Sequence, residues 1–234
     1  HPRRLHKRLH RRPANVINLP LVEPLDDSLW FPKPTDDEIV AVGGDLSVER
    51  LLLAYRSGIF PWSADPITWW SPDPRAIIEL DQFHIPDRLA KTLRSGRFTY
   101  TINRAFQKVI TACAERPGGE STWIGPEFIA AYTRLHKAGH AHSVECWVDD
   151  QLAGGIYGVS LNSLFAGESM FHHATDAGKA ALCHLVHHLK NCGHQLFDLQ
   201  MLTPATEQFG AIEIPRAKYL KRLARAMEMK CTFN

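Results

Sequence analysis

Three strand patterns follow one another between residues 143 and 168, and their order constrains the fold more than any other feature. The segments 143–148, 152–159 and 163–168 are apolar and β-branched, and the first two are joined by Asp149-Asp150-Gln151. So tight a connection lets neighbouring strands run only antiparallel. A helix from about 177 to 192 follows, with Leu182, Leu185, Val186 and Leu189 on one stripe and Gly193 closing it, and then a strand at 196–202. The spacing predicts an α+β fold in which helices pack on a mainly antiparallel central sheet.

The N-terminal half punctuates differently. Residues 14–37 carry Pro20, Pro24, Pro32 and Pro34 among acidic residues and read as an extended wrap. Ser47 is a good N-cap for a helix bearing Val48, Leu51, Leu52 and Tyr55, and Gly58 suits its C′ position. Residues 58–75 hold Trp62, Trp69 and Trp70 with four prolines, too stiff for a linker and too aromatic for an ordinary loop. Further on, Ile85, Leu89 and Leu93 mark one face of a short helix, with Arg88, Lys91 and Arg94 on another. Pro126 opens a helix that Gly139 ends, and a last helix runs from Pro215 to about Met229.

Composition excludes several classes. Of 234 residues, 44% are hydrophobic and 22% charged, which is enough apolar matter for a core and rules out a disordered chain. No run approaches the ~20 apolar residues of a membrane span. The chain opens on a basic arm and not an apolar leader, and its five cysteines are odd in number and scattered. Reduced thiols in a cytoplasmic protein are the expectation. Residues 1–12 hold six Lys/Arg, while the rest carries 21 basic against 25 acidic residues. The arm (1–13) reads either as a solvated tail or as a loose tether to nucleic acid, and any nucleic-acid site on the acidic body must be a local patch.

Chemistry concentrates on the strand Leu196-Phe-Asp-Leu-Gln-Met-Leu202. Period two sets Asp198 and Gln200 on one face of a strand that looks buried, where polar groups need partners. Glu168 is a similar anomaly at the end of an apolar strand. The bland reading is that these groups satisfy nearby backbone, and the functional one is a polar pair lining a cleft. His184, His187 and His188 form an HxxHH run without HExxH or CxxC, so no metal is expected. Cys146 has no helix N-terminus to activate it, and phosphate-cradling glycine motifs are absent. Tryptophans in rigid loops serve a core or stack an unpaired base.

Seven runs together resemble one family: Gly43-Gly-Asp-Leu-Ser47, Tyr55-Arg-Ser-Gly-Ile-Phe-Pro-Trp62, Trp69-Trp-Ser-Pro-Asp-Pro-Arg75, His140-Ala-His-Ser-Val-Glu145, Gly154-Gly-Ile-Tyr-Gly158, Phe165-Ala-Gly-Glu-Ser-Met-Phe171 and Glu213-Ile-Pro-Arg216. They resemble the leucyl/phenylalanyl-tRNA–protein transferases of bacteria, in order, from about residue 38 to 228. The resemblance implies a small N-terminal domain (14–75) before a GNAT-like acyltransferase domain (76–234). It implies transfer of Leu or Phe from aminoacyl-tRNA to the N-terminal Arg or Lys of an acceptor protein, marking that protein for degradation. By motif, Asp198 and Gln200 are the catalytic pair with Glu168 beside them, and Trp62 and Trp123 hold the terminal adenosine. Ile156, Phe165, Met170, Leu182, Leu185 and Phe197 line the aminoacyl pocket, and Arg88, Lys91 and Arg94 meet tRNA phosphates. The family usually shows Met, Phe and Ile where Ile156, Leu185 and Phe197 stand, exchanges that roughly conserve volume.

The implied reaction needs no fuel, because an aminoacyl ester aminolyses downhill, so no cofactor is expected. An α-amino group with a pKa of ~7.7–8.0 is partly neutral at pH 7, which makes positioning the main task. Asp198 and Gln200 would receive the amine by hydrogen bonds. An apolar pocket discriminates by only ~1–3 kcal/mol per methylene, so weak Met transfer is expected. A monomer with no membrane partner is expected. A CoA-dependent N-acetyltransferase and a non-catalytic tRNA-binding module are the alternatives.

Overall fold

The computed structural model describes residues 24–26, 28–115 and 122–233. The basic arm, residues 14–23 of the proline-rich stretch, and 116–121 lie outside them.

The first sheet has four strands, β1 (Pro24–Leu25), β2 (Ile39–Gly43), β3 (Phe60–Ala64) and β4 (Ile67–Trp70), in the order β1-β2-β4-β3. The aromatic segment thus forms a hairpin, with Pro61 on the edge strand, where a missing N–H costs no ladder bond. Between β2 and β3 lies α1 (Val48–Arg56), whose N-cap Ser47 accepts from the Arg50 amide at 3.3 Å. Gly58 ends the turn after it at φ +74, and a Cβ there would come within 2.6 Å of Leu220. Conformation and packing therefore both demand glycine.

The second sheet is built from β5 (Arg75–Ile78), β6 (Thr99–Ile102), β7 (Ala141–Val148), β8 (Gln151–Leu161), β9 (Leu164–His172), β10 (Leu196–Gln200) and β11 (Ile212–Ile214). Its order is β11-β5-β10-β9-β8-β7-β6, and β9–β10 is its one parallel pair. That pair needs a crossover, supplied by α5 (Ala177–Cys192). The α+β fold with a mostly antiparallel sheet is as the sequence predicts.

Helices α2 (Asp87–Arg94) and α5 cover one face of this sheet, over a core that includes Ile156, Phe165, Leu182, Leu185 and Phe197. The other face carries α3 (Phe106–Ala114), α4 (Pro126–Lys137), α1 and α7 (Arg216–Glu228). A continuous core on that side joins Trp69 and Tyr55 of the N-terminal part to Phe128, Tyr132 and Tyr157. A short helix α6 (Pro204–Glu207) separates β10 from β11.

Two details depart from the sequence reading. Helix α3 was not legible, because its cap comes from far away: Glu145 on β7 accepts from the Arg104 and Ala105 amides, each at 3.3 Å. Strand β10 stops at Gln200 instead of residue 202. Its pairing with β5 shifts between Asp198 and Gln200, and Gln200 itself adopts φ +66. Among the described residues no helix is long and apolar enough to cross a membrane.

Candidate active site

The end of β10 holds a connected group of buried polar side chains. Asp198 is 1% exposed and its carboxylate is fully engaged. Arg75, at the start of β5, donates through Nε to Oδ1 at 2.8 Å and through Nη2 to Oδ2 at 2.7 Å. Tyr219 of α7 donates to Oδ2 at 2.7 Å, and the Gln200 amide N–H to Oδ1 at 2.8 Å. Four donors fill the roughly four acceptor positions of a carboxylate. Burial alone would lower the Arg75 pKa, but the Asp198 carboxylate outweighs it and holds the guanidinium above its ordinary value. A third Arg75 nitrogen donates to the Gly58 carbonyl at 3.1 Å, so the end of α1 and the end of β10 share one cation.

Asp198 thereby dictates the posture of Gln200. The Met201 amide donates to the Leu199 carbonyl at 2.7 Å, closing a tight turn centred on Gln200 at positive φ. A non-glycine residue held there stores about 1–3 kcal/mol, a cost characteristic of functional sites. The turn sends the Gln200 side chain across to β9, where Nε2 donates to Glu168 Oε1 at 2.8 Å. Glu168 also accepts from Tyr55 of α1 at 2.7 Å and from Tyr132 of α4 at 3.3 Å, and the two tyrosine hydroxyls are 2.5 Å apart. Desolvation, reinforced by the Asp198 charge, pushes the Glu168 pKa up to about 7 against the pull of these hydrogen bonds. Burial, and then the Glu168 charge, raise both tyrosines, so each is a neutral donor near pH 7.

Asp198, Gln200 and Glu168 are therefore brought together, though not as a simple period-two row. The expectation that Asp198 itself binds an incoming amine meets a carboxylate whose acceptors are already taken. Among the described residues nothing donates to Gln200 Oε1, and that oxygen is the group left to accept. Sequence reading missed Tyr55, Tyr132, Arg75 and Tyr219 as site residues. The signal for two of them lay in the motifs, since Tyr55 and Arg75 bound the aromatic segment.

The other expected residues fall into three places. Ile156, Phe165, Met170, Leu182, Leu185 and Phe197 all join the core beneath α5. That is the opposite face of the sheet from Glu168, the extra residue of a bulge in β9, whose partners Tyr55 and Tyr132 belong to α1 and α4. The two groups meet where β10 ends. Gly167 lies between them, its would-be Cβ 3.1 Å from the Phe197 ring. These six side chains are packed together, whereas cavities of about 320 and 330 Å³ lie elsewhere, beside α3 with Leu152 and His173, and around Glu79, Lys190 and Arg222. Trp62 and Trp123 stack at 6.1 Å with planes 16° apart, within direct ring-contact range. Arg88, Lys91 and Arg94 are exposed along α2, and none forms an ion pair among the described residues.

Other reactive groups are quiet. Cys146 is buried and its thiol is pushed up to about 12 by desolvation, and all five cysteines are free. Among the described residues no cluster of three His, Cys, Asp or Glu is placed to hold a metal ion.

The profile described as leucyl/phenylalanyl-tRNA protein transferase matches residues 77–224, and that of its N-terminal domain matches 44–73. The chain belongs to the leucyl/phenylalanyl-tRNA protein transferase family. The transferase is 51% identical to a leucyl/phenylalanyl-tRNA–protein transferase of Anaeromyxobacter sp. (strain K), over 85% of this chain and 88% of that protein. It is 49% identical to the one of Tolumonas auensis, over 87% and 91% respectively. Among solved structures, the GCN5-related N-acetyltransferase from Kribbella flavida aligns at TM-score 0.39 and 9% identity, covering 69% of the transferase and 59% of that chain. L-PGS from Bacillus licheniformis aligns at TM-score 0.38 and 14% identity, covering 79% and 63%.

Proposed function

We propose that this transferase moves leucine or phenylalanine, and weakly methionine, from aminoacyl-tRNA to the N-terminal arginine or lysine of an acceptor protein. A peptide bond forms and the acceptor is marked for degradation. The reading places a GNAT-like catalytic domain at 76–234 behind a small N-terminal domain at 14–75, working as a cytoplasmic monomer. The observation that carries it, together with family membership, is the Glu168 carboxylate held by Tyr55, Tyr132 and Gln200 where β10 ends.

The chemistry follows from those groups. Gln200 Oε1 accepts a hydrogen bond from the incoming α-amine and aims its lone pair at the ester carbonyl. Glu168, close in pKa to an α-amino group of ~7.7–8.0, takes the proton that the nitrogen sheds as the amide forms. The C–O bond to the tRNA 3′ oxygen breaks, and Glu168 passes that proton to the departing oxygen, which leaves as the 3′ hydroxyl and returns the carboxylate to its starting state. Asp198 acts one step back: with Arg75 and Tyr219 it fixes the strained turn that presents Gln200. A negative Glu168 also suits an acceptor whose first residue is a cation. Trp62 and Trp123 offer a face to the terminal adenosine, with stacking at ~1–3 kcal/mol per base. Arg88, Lys91 and Arg94 supply phosphate contacts, which carry affinity without reading sequence. The aminoacyl side chain enters by parting the apolar walls under α5.

The test is transfer of labelled Phe from Phe-tRNA to an Arg-initiated peptide, against uncharged tRNA plus free Phe, with and without acetyl-CoA. Label on the peptide from charged tRNA alone, indifferent to CoA, is expected. Acetylation that depends on acetyl-CoA, or tRNA binding without transfer, contradicts the reading.

A further inference from the structure

We propose that Phe233 is a positioning residue for specificity: its ring backs Phe165 in the wall of the aminoacyl pocket and sets how large a side chain that pocket takes. The inference rests on the pocket assignment of the preceding subsection and names a residue outside it.

Phe165 is bounded by four neighbours, one of them His194, edge-on at 6.4 Å and 74°. Beneath it is the β8 backbone, so close that a Cβ on Gly158 would stand 2.5 Å from the ring. Beside it is Phe197, edge-on at 5.7 Å and 74°, itself fully buried. Phe233 stacks on Phe165 at 5.4 Å and 24°. The β8 backbone is part of the sheet, whereas Phe197 and His194 meet Phe165 edge-on. Phe233 comes from the short irregular segment after α7 and is the neighbour that lies most nearly parallel to Phe165.

That segment is clamped, which is why it can act as a stop. Phe233 is 3% exposed and also stacks on His142 at 4.2 Å. Its carbonyl pairs with His188 Nε2 at 2.5 Å, and the Cys231 thiol donates to the Cys192 carbonyl at 2.9 Å. Cys231 also lies 3.2 Å from His194 Nδ1. Burial pushes that thiol up and the imidazole down to about 4, so the pair stays neutral and serves as a fastening. Removing the Phe233 ring leaves a void into which Phe165 can move, and the pocket gains room for a larger side chain.

The experiment compares kcat/KM for transfer of Leu, Phe and Met to one Arg-initiated peptide by the wild type, Phe233→Ala and Phe233→Leu. Phe233→Ala is expected to raise the Phe:Leu ratio by about 10-fold, the scale of one methylene in an apolar pocket, with Phe233→Leu between it and the wild type. Should Phe233→Ala fail to fold, Phe233→Leu carries the comparison with the same direction of change. A common fall for all three donors, or unchanged ratios, overturns the inference and leaves the transfer reading intact. A wild type inert with all three overturns the transfer reading and the inference with it.

Discussion

Glu168 is a carboxyl whose folded environment disfavours its charged form. Its folded-state pKa of about 7 lies above the ~4.3 of an unfolded glutamate. The folded chain therefore holds a proton that the unfolded chain releases. Stability from this group is complete below pH ~4 and is lost as pH rises through 7. Glu168→Gln is thus expected to match the wild type at pH 5 and to be more stable at pH 8 by about 2 kcal/mol, or roughly 4–8 °C in Tm. Thermal melts at the two pH values check this, and a wild type that gains on the variant toward pH 8 contradicts it. Transfer by Glu168→Gln should fall meanwhile by about 10²-fold, the low end for a lost proton acceptor. At this scale the sequence disclosed Asp198, Gln200 and Glu168 because polar residues interrupt apolar strands. It hid Tyr55, Tyr132 and Tyr219 because tyrosines on helical stripes look like ordinary core.

At the scale of elements, legibility followed whether the signal was local. Helix α1 carries its own Ser47 cap and Gly58 stop and was readable; α3 borrows its cap from Glu145, some 40 residues on, and was not. The end of β10 was misplaced by two residues, since the bond from the Gln200 amide to Asp198 overrides strand propensity. Helix α2 was readable from both its faces. Its Leu89 is buried and its Arg88, Lys91 and Arg94, the proposed phosphate contacts, are exposed. Each phosphate contact contributes about 0.7–0.9 to the slope of log K against log salt. Replacing all three cations by Ala is expected to reduce that slope by about 2 and to weaken tRNA binding, with kcat at saturating tRNA unchanged. Filter binding across a salt series measures it, and an unaltered slope places the phosphate site elsewhere.

Across the whole molecule, the seven-stranded sheet is a partition. The polar groups Asp198 and Glu168 lie on the face covered by α1, α4 and α7, and the apolar cluster lies under α5. No pattern within one strand shows this, since it depends on which helices land on which face. The N-terminal sheet is tied in through Tyr55 on Glu168 and through Gly58 on Arg75, so the site draws on both halves of the chain. In the proposed reaction Gln200 is the residue that receives the amine and presents it to the ester.

The most direct test is to measure, for Gln200→Ala against the wild type, both the single-turnover rate of Phe transfer to an Arg-initiated peptide and the Kd for Phe-tRNA. The rate is expected to fall by about 10²–10³-fold, as for other lost positioning donors or acceptors, while Kd stays within about twofold. A variant that transfers at the wild-type rate once bound, but binds tRNA poorly, would contradict the account.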